Sequence, residues 1–153
     1  MKQFYKNICL IVLSSFFIIS CEKENNIAPE GLWELSAPVI ELPENNQNFI
    51  LDQITPNETI TFSWLAAASS VGFGVTYSVS IHELSDTDFT NPLYQFASGN
   101  SGKELSATIS YQKIDEVLSF AGYPANQETE ITWRVKANSI NKSSSASNTI
   151  KIK

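Results

Sequence analysis

The sequence predicts an all-β fold, a two-sheet sandwich, over residues 37–153. Three observations carry this. Short segments alternate apolar and polar residues with period two, the pattern of a strand with one wet face. There are about seven of them, separated by clusters of turn-forming residues. One tryptophan falls on an early segment and another on a late one, Trp64 and Trp133, as two sheets closing over a shared core require. Together these define a sandwich of the immunoglobulin or fibronectin type III kind, with one short crossover helix.

The elements follow in order. APVIEL opens the domain as a weaker strand candidate. In TITFSWL, Ile60, Phe62 and Trp64 share one face and Thr59, Thr61 and Ser63 the other. In VTYSVSIHEL, Val75, Tyr77, Val79 and Ile81 oppose Thr76, Ser78, Ser80 and His82. LYQFAS and ELSATIS are further weaker candidates. In EITWRVKAN, Ile131, Trp133, Val135 and Ala137 point in, while Glu130, Thr132, Arg134 and Lys136 point out. NTIKIK closes the set. ENNQN, ASSVGFG, SDTDFTNP, SGNSGK and NKSSSAS read as the turns between them. One segment breaks the alternation. In SYQKIDEVLSFAGYP, residues Ile114, Val117, Leu118 and Ala121 fall at i, i+3, i+4 and i+7, one face of a helix. Ser110 is its predicted N-cap, and Gly122 followed by Pro124 ends it.

Ahead of this domain the chain begins MKQFYKN, basic and without an acid, followed by the apolar run ICLIVLSSFFII. A spanning helix needs about 20 apolar residues. A basic start, a shorter apolar run and a small residue before the cut instead define a signal peptide, residues 1–20. Ile18-Ile19-Ser20-Cys21 resembles a lipobox, in which the cysteine thiol takes a diacylglyceryl group and becomes the new N-terminus. Ile stands in its first position where Leu is usual. Two or more acyl chains hold a protein stably on a bilayer, so Cys21 is expected to be a permanent anchor. Glu22 and Glu24 resemble a surface-export signal. Residues 21–36, polar and containing Pro29 and Gly31, read as a flexible tether with a reach of roughly 50 Å stretched and 20–25 Å on average. Trp33 is its exception and is expected to fold back onto the domain edge.

Processing would consume both cysteines, since Cys9 leaves with the signal and Cys21 takes the lipid. The mature domain is then expected to have no disulfide, no thiol catalysis and no cysteine metal site. Loss of Lys2 and Lys6 leaves 8 basic against 16 acidic residues, a net charge of −8 where the whole chain has −6. A nucleic-acid partner would need a basic stripe, and none is visible.

Catalysis finds little support. His82 is the only histidine and is expected to be exposed on the polar face of its strand, so a Ser-His-Asp site or an imidazole metal site would have to rest on it alone. Glu128 and Glu130 share a solvent face with Arg134 and Lys136. Asp115 and Glu116 are expected to open the helix, where acids favour its dipole. Asp86 and Asp88 read as turn residues, because the glycine and terminal glutamate of an EF-hand do not follow them. The chain is therefore expected to be no enzyme and to use no cofactor or metal. Carbohydrate is gripped by exposed aromatic faces flanked by polar groups. With Trp64, Tyr77 and Trp133 assigned to the core, Tyr94, Phe96, Tyr111, Tyr123 and Trp33 remain, and Tyr111 and Tyr123, which bracket the helix, are the candidate carbohydrate-binding pair.

The order of lipobox, acidic tether, APVIELP, ETITFSWLAA, GVTYSVSIHE, DFTNPL, ELSATISYQKIDEVLSFAGYP, TEITWRVKA and SNTIKIK resembles the N-terminal domain of the SusE lipoprotein family of starch-utilisation systems. The resemblance runs over nearly the whole chain. It implies an outer-membrane, lipid-anchored, surface-exposed protein whose immunoglobulin-like domain stands next to the membrane, ahead of separate starch-binding modules. Those modules are expected to have no counterpart here, so none of their binding residues carries over. The expected function is a spacer or docking module in capture of starch-like glycan, with other proteins of the uptake complex as partners. Direct carbohydrate binding and an adhesion or structural role are the alternatives.

Overall fold

A computed structural model describes residues 32–153. The predicted signal peptide, Cys21 and the tether up to residue 31 lie outside the described residues. The chain forms β1 (Val39–Leu42), β2 (Gln47–Phe49), β3 (Thr59–Leu65), β4 (Thr76–Glu83), β5 (Tyr94–Ala97), β6 (Ser106–Ser110), helix α1 (Tyr111–Phe120), β7 (Thr129–Ser139) and β8 (Lys142–Ile152). Three strands make one sheet in the order β1-β3-β6, and five make the other in the order β2-β8-β7-β4-β5. All neighbours are antiparallel except β2, which runs parallel to β8. Every connection changes sheets except β4 to β5 and β7 to β8, and α1 makes the last of these crossings, from β6 to β7. This is the predicted all-β sandwich.

Alternation decides what is buried. Ile60, Phe62 and Trp64 from β3 face Tyr77, Val79 and Ile81 from β4 and Ile131, Trp133, Val135 and Ala137 from β7, all inside one core. Phe62 packs on Trp133 with ring centroids 4.7 Å apart, and Trp64 on Tyr77 at 5.6 Å. The Tyr77 hydroxyl does not waste its polar end there, since it accepts the backbone N–H of Ala67 at 2.9 Å. Trp33 also joins the interior, 3% exposed. Its ring meets Phe73 edge-on at 5.7 Å, and the ammonium of Lys142 stands over it at 5.2 Å while also donating to the Trp33 carbonyl. The expected fold-back of this residue is therefore observed.

The helix obeys its sequence signals. Ser110 caps it, its hydroxyl accepting the N–H of Lys113 at 3.2 Å, and Ile114, Val117 and Leu118 are its buried stripe. At the other end Gly122 takes φ +86°, a conformation that costs glycine nothing. There the N–H of Tyr123 donates to Leu118 and that of Gly122 to Ser119, the paired bonds of a Schellman ending.

Three expectations about the bounds of these elements need correction. ENNQN is not wholly a turn, because Gln47 and Asn48 begin β2. NKSSSAS is not a turn beyond Asn141, because Lys142 to Ser147 form the first half of β8, paired residue for residue with β7. Polar residues fill both faces of that stretch, so no alternation marks it, and the long β7 partner supplies the order. Asp115 and Glu116 do not open α1, which starts at Tyr111. They sit mid-helix, with Glu116 accepting from Lys113 at 3.1 Å.

Candidate functional site

One end of the sandwich carries a cleft of about 760 Å³, and both Tyr111 and Tyr123 line it. Its walls come from three segments: the loop Leu51 to Pro56, the α1 face from Tyr111 to Ser119, and the turn Tyr123 to Gln127, with Ile152 and Lys153 at the floor. The loop is tied to its neighbours. Leu51 N–H donates to Lys153, Tyr111 N–H to Glu58 and Gln112 N–H to Pro56, at 2.7, 2.8 and 3.1 Å. The first-turn N–H groups of Tyr111, Gln112 and Lys113 are thereby spent within the fold, so that helix end is no anion site.

Chemically the cleft offers two phenol rings beside the amides of Gln53, Gln112, Asn126 and Gln127 and the carboxylates of Asp52 and Asp115. This mixture suits a hydroxyl-rich neutral ligand, which needs ring faces for stacking and amide or acid groups for hydrogen bonds. Both rings, however, are half-buried and pack against the core cluster. Burial pushes the Tyr123 phenol above its ordinary pKa, and the negative charge of Glu83 pushes the same way. The sequence brings Tyr111 and Tyr123 forward because they flank the helix. Nothing local in loop 51–56 or in residues 124–127 marks them as a wall, which they become only when the chain folds. The other aromatic candidates are engaged elsewhere: Tyr94 and Phe96 stack at 5.5 Å along β5, with Lys113 over Tyr94 at 5.0 Å.

His82 lies on the outer sheet face, as alternation requires, but it is 1% exposed and the expectation of an exposed histidine is overturned. The loop after β4 folds back over it. Nδ1 lies 2.8 Å from Asp86 Oδ2, and Nε2 lies 2.8 Å from Ser80 Oγ, while the Phe89 ring meets the imidazole edge-on at 5.1 Å. The hydrogen bond from His82 is the main reason the Asp86 carboxyl is held below its ordinary pKa, with the N–H groups of Asn91 and Thr90 adding to it against the cost of desolvation. An ionised carboxylate only accepts, so His82 Nδ1 donates to Asp86. The order Ser80, His82, Asp86 matches a nucleophilic triad in connectivity. It lacks the other half of such a site: Ser80 is mid-strand between Arg134 and Gln95, where backbone N–H groups are committed to the ladder rather than aimed at a developing oxyanion. Asp86 acts as the turn residue predicted, accepting from Thr90 and Asn91 at 3.1 and 3.0 Å. Glu130 and Glu128 both pair with Lys151, at 3.1 and 3.6 Å.

Fold and cleft define an immunoglobulin-like β-sandwich module. A family model described as SusE outer membrane protein matches residues 23–136, well over half of the chain. The chain therefore belongs to the SusE outer membrane protein family, and with it to the outer-membrane proteins of the starch-utilisation system. No curated protein matches it, and no solved structure does.

Proposed function

We propose that this protein is a non-catalytic surface module of a glycan-uptake complex, anchored in the outer membrane through lipid on Cys21, in which the sandwich serves as spacer and docking domain. Trp33 carries the spacer reading. Because it is locked between Phe73 and Lys142, at most twelve residues separate a lipid on Cys21 from the sandwich. The reach of that link is about 40 Å at most. The large aromatics Trp33, Trp64, Tyr77 and Trp133 are all in the interior, which supports a domain built to hold position rather than to present stacking faces. The anchor is tested by feeding labelled fatty acid: label is expected in the wild type and absent from Cys21→Ala, which should be released from the membrane or misprocessed. An unlabelled wild type, or a mature N-terminus other than Cys21, would rule the anchor out.

The cleft favours a second reading, direct binding of a neutral oligosaccharide at Tyr111 and Tyr123. Half-buried rings offer little stacking surface, so the expected result of titrating maltoheptaose calorimetrically is binding too weak to measure below millimolar concentrations. Micromolar affinity that disappears in the Tyr111→Ala, Tyr123→Ala double variant would replace the spacer reading by this one.

A further inference from the structure

The outer face of the five-stranded sheet is lined with hydroxyls around two cations. Register sets Arg134 between Ser80 on β4 and Ser147 on β8, and Lys136 between Ser78 and Ser145. The two cations are two residues apart on a central strand, about 7 Å along it. Among the described residues neither has a carboxylate within ion-pair distance, whereas Lys151, on the next strand, has two. In a chain of net charge −6, acids are abundant. None stands at the four flanking positions, and the Asp86 carboxylate on the same face is taken up by His82, Thr90 and Asn91.

Arg134 is also held in place. Its guanidinium carbon stands 4.8 Å from the centroid of the Phe89 ring, and Phe89 has φ +55°, a left-handed conformation that is costly for a bulky residue. The same ring rests on His82, and the loop bearing it is tied by the bonds that converge on Asp86: from His82, Thr90 and Asn91. Strain of this kind persists where its surroundings over-determine it, and it collects at ligand clamps. Among the described residues the buried Arg134 Nε finds no hydrogen-bond partner, so the fold holds this guanidinium by stacking rather than through that donor. A guanidinium stacked on an aromatic ring and free of carboxylate is preorganised to take a planar or multi-oxygen anion through paired N–H bonds.

We infer that this face binds acidic oligosaccharides, with Arg134 taking the carboxylate or sulfate of one sugar, Lys136 a second charge, and the flanking serines the sugar hydroxyls. The sugar half of this inference rests on the glycan-uptake reading, whereas the anion half rests on the sheet. The site is distinct from the end cleft and selects for charge, which neutral starch lacks.

The test is calorimetric titration of the full mature protein in detergent with tetragalacturonate, a sulfated tetrasaccharide, maltotetraose and tetraglutamate. At least one charged sugar is expected to bind, weakening steeply between about 20 and 300 mM salt, while maltotetraose and tetraglutamate bind at least about tenfold more weakly. Arg134→Gln should lower the affinity about tenfold or more, and Arg134→Lys should not restore it, because an ammonium lacks the fork. Lys136→Gln, which leaves the Phe89 stack untouched, should lower it about threefold through charge alone. Thermal midpoints of all three variants separate lost binding from lost folding. Failure of both charged sugars to bind, or unchanged affinity in the Arg134→Gln and Lys136→Gln variants, overturns the inference. Tetraglutamate binding as tightly as the sugars also overturns it and makes the face a docking patch for an acidic protein. None of these outcomes touches the spacer reading, which depends on the anchor and on maltoheptaose.

Discussion

Trp133→Ala is expected to destabilise the domain by about 3–5 kcal/mol, a large part of the 5–15 kcal/mol typical of a whole domain. The ring is fully buried on β7 between the two sheets and packs on Phe62. Removing it opens a void that the ladders with β4 and β8 on either side hold from collapsing. Trp133→Phe separates volume from polarity. Among the described residues the indole Nε1 has no hydrogen-bond partner, so the phenylalanine variant loses none of those bonds and sheds a buried donor whose desolvation costs about 1–3 kcal/mol. It should therefore be much milder than the alanine variant. Urea unfolding followed by circular dichroism gives both values. Equal losses for the two would mean that the Nε1 has a partner, and a loss below about 1 kcal/mol for alanine would mean that the ring is not core.

The fold was legible where burial imposed a period. Ile60, Phe62 and Trp64, or Ile131, Trp133 and Val135, can face one way only if their neighbours face water, and that constraint is written in each segment. Serines 143, 144, 145 and 147 of β8 carry no such mark, since a strand with polar residues on both faces looks like a loop until its partner is known. His82 shows the same limit from the other side. Alternation put it correctly on the outer face, yet its burial comes from Phe89 and Asp86 in a loop that crosses back over the sheet, and period two does not describe loops. Tyr111 and Tyr123 were visible as a pair because one helix connects them. The wall opposite them, from Leu51 to Pro56, was not, because only the pairing of β2 with β8 brings it to that end.

Trp33→Ala is expected to have the second largest effect, about 3 kcal/mol, although the residue belongs by composition to the polar segment ahead of the domain. Composition misleads there because the segment makes specific contacts: Leu35 bridges Ser69, Ser36 N–H donates to Ala68 at 3.0 Å, and Ser70 N–H donates to Glu34 at 3.0 Å. The indole anchors these exposed backbone bonds, which alone would open readily in water. Its removal also leaves the Lys142 ammonium without the ring it covers, at the start of β8. Amide hydrogen exchange should therefore quicken in two places remote in sequence, Glu34 to Ser36 and Ser69 to Ser70, with little change at Ile131 to Val135 beyond the global loss. Lys142→Ala should reproduce the local quickening with a smaller loss of stability, since a partly exposed cation over a ring contributes only about 0.5–1 kcal/mol. If Trp33→Ala instead changes neither stability nor exchange at Ser69 and Ser70, the residue is a passenger of the tether, the rigid body begins later in the chain, and the standoff from the membrane is correspondingly longer.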